Sequence, residues 1–236
     1  MVKDQKGPDG TQVKPHYLEH RKRIKTRFLK DLGASMEDYE LLELLLCQSI
    51  PRRDVKPLAK ALIDTHGSLA GVISADPKVL SRTKGVGEAT VIGLKTVQQA
   101  AIRILRRDVE GAHILSSWDK VLDYCRAAMG REKVEQFRLL FLDNRNRLIA
   151  DEVQQRGTVN HTPVYPREVV KRALELDASA LIMVHNHPSG DPTPSAPDIE
   201  MTRAVRDALS QIDIRLHDHL IIARSDHTSM RADGLI

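Results

Sequence analysis

The sequence has few cysteines, few aromatic residues and no long apolar run, and each shortage excludes a class of protein. Its only cysteines, Cys47 and Cys125, lie far apart without a CxxC pair, so we expect no disulfide framework, no cysteine zinc site and a reducing compartment. Aromatic residues make up 3% of the chain, so the cores must be aliphatic and little surface can stack on single-stranded bases. The absence of an apolar leader or a membrane-length apolar run predicts a cytoplasmic protein without a membrane partner.

Charge is distributed unevenly along the 236 residues, whose formal net charge is +4. Residues 1–110 carry 20 Lys and Arg against 14 Asp and Glu, whereas residues 111–236 carry 16 against 18. Much of the basic excess lies at residues 14–30, in a segment with helical apolar spacing. Such a helix either follows a nucleic-acid backbone or presents an ordinary solvated face, and composition leaves both interpretations open.

The pattern of elements predicts two domains after a disordered tail. Residues 1–15 are polar and without periodicity, which is typical of a disordered tail. Residues 16–112 show helical periodicity alone and predict a small all-α domain. In residues 113–236 the predicted elements are a helix at 118–129, strands at 137–142 and 148–153, a helix at 166–176, strands at 180–184 and 215–223, and a helix beginning near residue 198. This second domain is therefore predicted to be α/β (α+β), a mixed sheet flanked by helices.

A Gly-Val-Gly turn joins two helical patterns in the first domain, at residues 78–94. Glycines permit a tight turn and let backbone N–H groups at the start of the second helix approach a phosphate. The segment resembles a helix-hairpin-helix element. That resemblance implies DNA binding without sequence preference through Lys84, Gly85 and Gly87. Many Gly-x-Gly turns only join helices, and this alternative stays open.

The most specific pattern is a pair of histidines followed by a serine and an aspartate. His185 and His187 end the apolar run at 180–184, and side chains two residues apart on a strand project to the same side. The helical pattern near Asp198 places this carboxylate in the first turn of a helix. Two imidazoles and one carboxylate leave a tetrahedral Zn²⁺ with one position for water. The alternative is a polar strand end followed by a capping box from Ser195 to Asp198, and the two interpretations are compatible.

These residues also carry a family resemblance. The pattern from residue 185 to residue 198 resembles the signature of the JAMM or MPN-plus metallopeptidases, and its first six residues look specifically like the bacterial RadC family. Segments 165–174 and 216–222 are similar to that family too, so the resemblance covers nearly everything after residue 15. It implies a JAB/MPN-like domain with cytidine-deaminase-like layering, preceded by a helix-hairpin-helix region. The residues it assigns are the zinc ligands His185, His187 and Asp198 and the oxyanion partner Ser195.

The resemblance also implies an upstream glutamate that acts as general base. Glu135 leads into the apolar strand at 137–142, as the pattern of the group requires, and is our choice. Glu152, late in the following strand, is the rival. Glu168 lies in the first turn of a predicted helix, where the helix dipole accounts for an acid.

Other histidines of the second domain lie outside the motif. His217 and His219 begin the strand predicted at 215–223, where we interpret them as structural residues of the strand end. The alternative, in which one of them lines the cleft, stays open. His161 and His227 carry no assignment.

Together these patterns predict one Zn²⁺ per chain and zinc-dependent hydrolysis of an amide or isopeptide-type bond. The competing hypothesis is a DNA-associated, non-enzymatic protein whose second domain is an interaction platform, since the RadC name carries an association with DNA repair. HExxH is absent, and so are the HxE and PCxxC elements of zinc deaminases. The sequence does not identify the substrate or the oligomeric state.

Overall fold

The computed structural model describes residues 16–110, 112–156 and 164–236. The predicted disordered tail, residues 1–15, and His161 lie outside the described residues. Contacts between residues divide the chain into two compact units, Met1–Gln98 and Gln99–Ile236. The domain boundary after residue 112 stays a prediction.

The first unit is helical, as predicted. Its helices are α1 (His16–Asp31), α2 (Asp38–Ser49), α3 (Lys56–His66), α4 (Leu69–Ser74), α5 (Pro77–Ser81) and the first part of α6 (Glu88–Val109). Helix α2 begins with a capping box between Glu37 and Glu40, and α3 ends at Gly67, whose φ of 83° is readily adopted by glycine. Aliphatic side chains such as Leu42, Leu46 and Leu62 form its core, as the shortage of aromatic residues requires.

A five-stranded mixed sheet forms the centre of the second unit. Its elements are α7 (Trp118–Met129), β1 (Gln136–Leu142), β2 (Leu148–Arg156), α8 (Pro166–Glu175), β3 (Ala180–Asn186), α9 (Ala196–Ser210), β4 (Arg215–Ile222) and β5 (His227–Ser229). The strand order is β2-β1-β3-β4-β5. Strands β3 and β4 are parallel, whereas the other neighbouring pairs are antiparallel.

Helices cover both faces of this sheet, which confirms the predicted mixed α/β fold. Alternate residues of a strand point to opposite faces, so Leu140 joins the core beneath α7 while Leu139 joins the core beneath α8 and α9. Every residue of β3 is buried, because the strand is central and covered on both sides. The strand also continues two residues beyond the predicted 180–184, so His185 lies within the sheet. No helix in the described ranges is long and apolar enough to cross a membrane.

Candidate metal centre

The two histidines and the aspartate converge at the carboxyl end of β3. His185 lies in β3, His187 directly follows the strand, and Asp198 is the third residue of α9. Each offers one ligand atom, and these atoms all lie within 4.8 Å of one another. His185 Nε2 is 3.0 Å from His187 Nε2 and 3.5 Å from Asp198 Oδ1, and His187 Nε2 is 3.6 Å from Asp198 Oδ2. Ligand atoms of a tetrahedral zinc site lie about 3.3 Å apart, and the three shortest separations here, two of which involve different oxygens of Asp198, are close to that value.

The loop after β3 orients the imidazole of His187. Its Nδ1 lies 2.8 Å from the backbone oxygen of Asp191. Because a carbonyl oxygen only accepts, Nδ1 must carry a hydrogen, and in the neutral ring Nε2 then has a lone pair directed at the centre. Gly190 has a φ of 92°, a left-handed conformation that glycine adopts without strain, one residue before this carbonyl. The local hydrogen bond therefore orients His187 as a candidate ligand would require.

The electrostatics of the centre favour neutral His185 and ionised Asp198. Burial lowers the pKa of His185 to about 4, so this imidazole is uncharged at neutral pH. Burial raises the pKa of Asp198, but the interactions with His187, His185 and Ser195 outweigh it and hold that pKa well below its usual range. A neutral imidazole and an ionised carboxylate are the protonation states that bind metals.

Ser195 and Asp198 form the predicted capping box at the start of α9. Ser195 donates to Asp198 Oδ2 from its backbone nitrogen at 2.8 Å and from its hydroxyl at 2.5 Å. The backbone nitrogen of Asp198 lies 3.3 Å from Ser195 Oγ. The cap thus holds the carboxylate of Asp198, a candidate ligand, in place, and the serine hydroxyl lies beside the centre.

Glu135 lies beside the centre. In the antiparallel β1-β3 pair Phe137 is opposite His185. The ladder ends at this pair, and its continuation for two residues along each chain would bring Glu135 opposite His187. Consistent with this proximity, the carboxylate of Glu135 contributes to the raised pKa of His187, after the larger effect of Asp198.

The rival acids are engaged elsewhere. Glu152 lies in β2, which β1 separates from β3, and Arg172 of α8 binds its two carboxylate oxygens at 2.5 and 2.9 Å. These hydrogen bonds lower the pKa of Glu152. Glu168 is exposed in the first turn of α8 and forms an ion pair with Arg167 at 3.1 Å. Both contacts lie outside the cluster of candidate ligands.

Asn186, between the two histidines, points away from them and binds the segment that carries Glu135. Its Oδ1 accepts from the backbone nitrogen of Gln136 at 2.8 Å. Its Nδ2 donates to the backbone oxygens of Glu132 and Val134, both at 3.3 Å. The end of β3 therefore presents the two candidate ligands on one face. Asn186, between them, holds the segment that carries Glu135.

Replacing Asn186 with alanine is expected to destabilise the protein by about 1–3 kcal/mol, because the buried nitrogen of Gln136 loses its acceptor. The free energy of unfolding measured in urea checks this value. Asn144→Ala, in an exposed turn, is the matched control and should change it by less than about 0.5 kcal/mol. Equal effects of the two substitutions would contradict the assigned role.

His219 and Thr202 adjoin the centre. No sequence pattern pointed to Thr202, whereas for His219 a place at the cleft was the alternative left open. The expectation that His219 lies at a strand end is wrong, because it is fully buried within β4, opposite Met183 of β3. Its Nε2 lies 2.7 Å from Nδ1 of His185, and its Nδ1 lies 2.5 Å from Oγ1 of Thr202. Thr202 follows Asp198 by one helical turn, a spacing visible in the sequence. His217 instead contacts Asn146 Oδ1 at 2.6 Å.

The Gly-Val-Gly turn lies in the first unit, between α5 and α6. Gly85 has a φ of 98°, a left-handed backbone conformation that accounts for the presence of glycine at this position. Gly87 has no positive φ, and a Cβ atom added to it would meet nothing within 4 Å. Lys84 is exposed. Neither backbone conformation nor packing therefore requires a glycine at position 87.

Comparison with known proteins identifies a family profile that matches the second half of the chain and a relative that covers most of it. The profile of the RadC-like JAB domain matches residues 115–235, which include every residue of the candidate metal centre. A UPF0758 protein of Ruegeria pomeroyi is 54% identical over 223 residues, which cover 94% of this chain and 100% of that protein.

Proposed function

This chain belongs to the RadC family of JAB-domain proteins, and from that premise we propose that it is a zinc-dependent hydrolase of an amide or isopeptide-type bond. One observation carries the proposal. Two imidazoles and a carboxylate converge with the spacing of a tetrahedral zinc site, at the end of a buried strand. Three protein ligands are typical of catalytic zinc, whereas structural sites are closed by four.

His185, His187 and Asp198 would hold the ion. Zinc, when bound, supplies Lewis acidity and makes water a competent nucleophile at neutral pH. Imidazole-rich sets favour zinc over magnesium, which prefers carboxylate and water ligands. This preference argues against a magnesium-dependent nuclease.

Glu135 is the proposed general base. Its carboxylate would take a proton from the attacking water and return it to the leaving amine. The interaction with His187 supports a position at the mouth of the centre. Glu152 is a poorer candidate, because Arg172 occupies its carboxylate.

Ser195 is the proposed partner of the oxyanion that develops on the substrate carbonyl. Its hydroxyl donates to Asp198 Oδ2 in the structure, as its backbone nitrogen does. Rotation about the Cα–Cβ bond of Ser195 would redirect the hydroxyl to the substrate. The backbone nitrogen would continue to hold the aspartate.

The proposal is tested on full-length protein purified without added zinc. Metal analysis by mass spectrometry should find about one zinc per chain. The protein is then assayed against a panel of fluorogenic peptides and lysine-isopeptide substrates, and we expect it to cleave at least one of them. Its activity should be lost after chelation and return after zinc is restored. Protein that binds no zinc under any of these conditions contradicts the proposal.

We propose DNA-backbone binding by the first unit as a second function, through Lys84, Gly85 and Gly87. Gly87 is the observation that favours it, because a side chain there would be tolerated by the fold. A glycine at the start of α6 leaves the backbone N–H groups of the helix open to a phosphate. Lys84 adds positive charge beside them.

Gly87→Ala is expected to weaken duplex-DNA binding by about tenfold while leaving the thermal midpoint unchanged, since the methyl group obstructs only the phosphate. Fluorescence anisotropy of the full chain with a labelled duplex, at several salt concentrations, measures the affinity. Gly93→Ala is the matched control, because a Cβ there also meets nothing within 4 Å. Equal affinities of the two variants, or no binding at low salt, would refute the DNA proposal.

A further inference from the structure

A line of buried hydrogen bonds connects the ligand His185 to the backbone of the ligand Asp198. His185 Nδ1 lies 2.7 Å from His219 Nε2, and His219 Nδ1 lies 2.5 Å from Thr202 Oγ1. Thr202 Oγ1 in turn lies 2.5 Å from the backbone oxygen of Asp198. We call the three residues His185, His219 and Thr202, with the backbone oxygen of Asp198, the relay. The three residues are almost fully buried, since His185 is 1% exposed and His219 and Thr202 are 0% exposed.

The threonine determines the direction of these bonds. Its hydroxyl has one hydrogen and lies equally close to a carbonyl oxygen and to His219 Nδ1. A carbonyl oxygen carries no hydrogen, so two oxygens at 2.5 Å require the hydroxyl to donate to Asp198. Met230 Sδ, at 3.5 Å, is a weaker acceptor. His219 Nδ1 must then be the donor to Thr202 Oγ1.

The remaining tautomers follow in sequence. His219 is 0% exposed, where a second hydrogen would place an unsolvated charge in the core, so the ring that carries its hydrogen on Nδ1 has a bare Nε2. That bare nitrogen accepts from His185 Nδ1. His185 therefore carries its hydrogen on Nδ1, and its Nε2 lone pair faces His187 and Asp198.

We propose that His219 and Thr202 are positioning residues that fix the ligand tautomer of His185 and tie it to the helix that carries Asp198. This inference rests on the proposed metal function. Asp198 contributes both its carboxylate to the centre and its backbone oxygen to the relay, so strand and helix are held in one arrangement. Phe137 encloses the relay, stacked on His185 at 6.1 Å between centroids and edge-on to His219 at 5.7 Å. Outer hydrogen-bond partners of this kind set the orientation and basicity of a ligand histidine.

The first test measures tautomers in metal-free wild-type protein and needs no substitution. Nitrogen-15 NMR of the imidazole rings, assigned with the His185→Ala and His219→Gln variants, should find hydrogen on Nδ1 and a bare Nε2 in both rings. Hydrogen on Nε2 of His185 would overturn the inference. A purely structural role for the buried threonine requires no such pattern.

The second test measures zinc affinity by competition with a chromophoric chelator. Thr202→Val removes the hydroxyl and should weaken zinc binding by about 10–100-fold, whereas Thr202→Ser keeps the hydroxyl and should bind nearly as wild type does. Thr90→Val controls for loss of a buried threonine hydroxyl, because Thr90 is 3% exposed and its hydroxyl contacts Ser49 at 2.9 Å in the first unit. Its zinc affinity should not change.

The outcomes separate this inference from the proposed function. If Thr202→Val binds zinc as tightly as Thr202→Ser while His185→Ala has lost it, the relay is refuted and the metal function stands. If His185→Ala retains full affinity, the metal function itself is refuted. Should Thr202→Val not fold, His219→Gln takes its place. The amide oxygen of glutamine accepts from His185 and its nitrogen donates to Thr202, so near-native affinity is expected and a large loss counts against the relay.

Discussion

Replacing His185 and His187 together with alanine is expected to remove zinc from the protein, with a loss of affinity of more than about a thousandfold. The two imidazoles supply two of the three ligand atoms that lie within 4.8 Å of one another. The carboxylate of Asp198, left alone, is no more than a partly exposed acid at the start of a helix. Mass spectrometry of the purified variant and chelator competition measure the metal content and the affinity.

The control for this experiment is a double variant, His217→Ala with His227→Ala. It removes the same number of imidazoles from the same unit, but His217 contacts Asn146 and His227 contacts Arg126 rather than the centre. Its zinc content should equal that of the wild type. Stoichiometric zinc in the His185 and His187 variant would mean that the ion is bound elsewhere, and the proposed chemistry would lose its foundation.

The convergence of His185, His187 and Asp198 was predictable because its geometry is local. The alternation of a strand brings His185 and His187 to one side, and the first turn of a helix presents Asp198 to the same end of the sheet. The capping box of Ser195 and Asp198 is also a pattern of adjacent residues. The aliphatic cores and the mixed sheet followed from composition and from the order of elements, and the structure confirms this fold.

The surroundings of the ligands were not predictable, because they depend on strand register. His219 contacts His185 only because β4 lies parallel to β3 with Met183 opposite His219, and no pattern in a single sequence specifies that register. The bond from Asn186 to Gln136 joins residues 50 positions apart. The choice between Glu135 and Glu152 has the same origin. Both are acids next to apolar strand residues. The family resemblance favoured Glu135, and the physical grounds for that preference, the β1-β3 register and the contact of Glu152 with Arg172, appear only in the structure.

Glu135→Gln is expected to lower the hydrolytic rate of the zinc-loaded protein by about 10²–10⁴-fold while leaving zinc affinity nearly unchanged. Glutamine preserves the size of the side chain and removes its ability to accept a proton. The ligand atoms of the centre are all supplied by other residues. Turnover of the best substrate in the panel and chelator competition together measure the two quantities.

Glu152→Gln is the matched control, and it should leave the hydrolytic rate nearly unchanged while lowering stability slightly. The substitution removes the carboxylate that binds Arg172. The side chains of Arg172 and Glu152 are 37% and 29% exposed, and an ion pair so open to solvent is weak, so the free energy of unfolding should fall by no more than about 1 kcal/mol. Its rate should stay within about twofold of the wild type, since Arg172 already occupies this carboxylate. A large loss of rate in Glu152→Gln with a small loss in Glu135→Gln would transfer the role of general base to Glu152. The proton would then have to be taken up from β2, on the far side of β1 from the ligand strand.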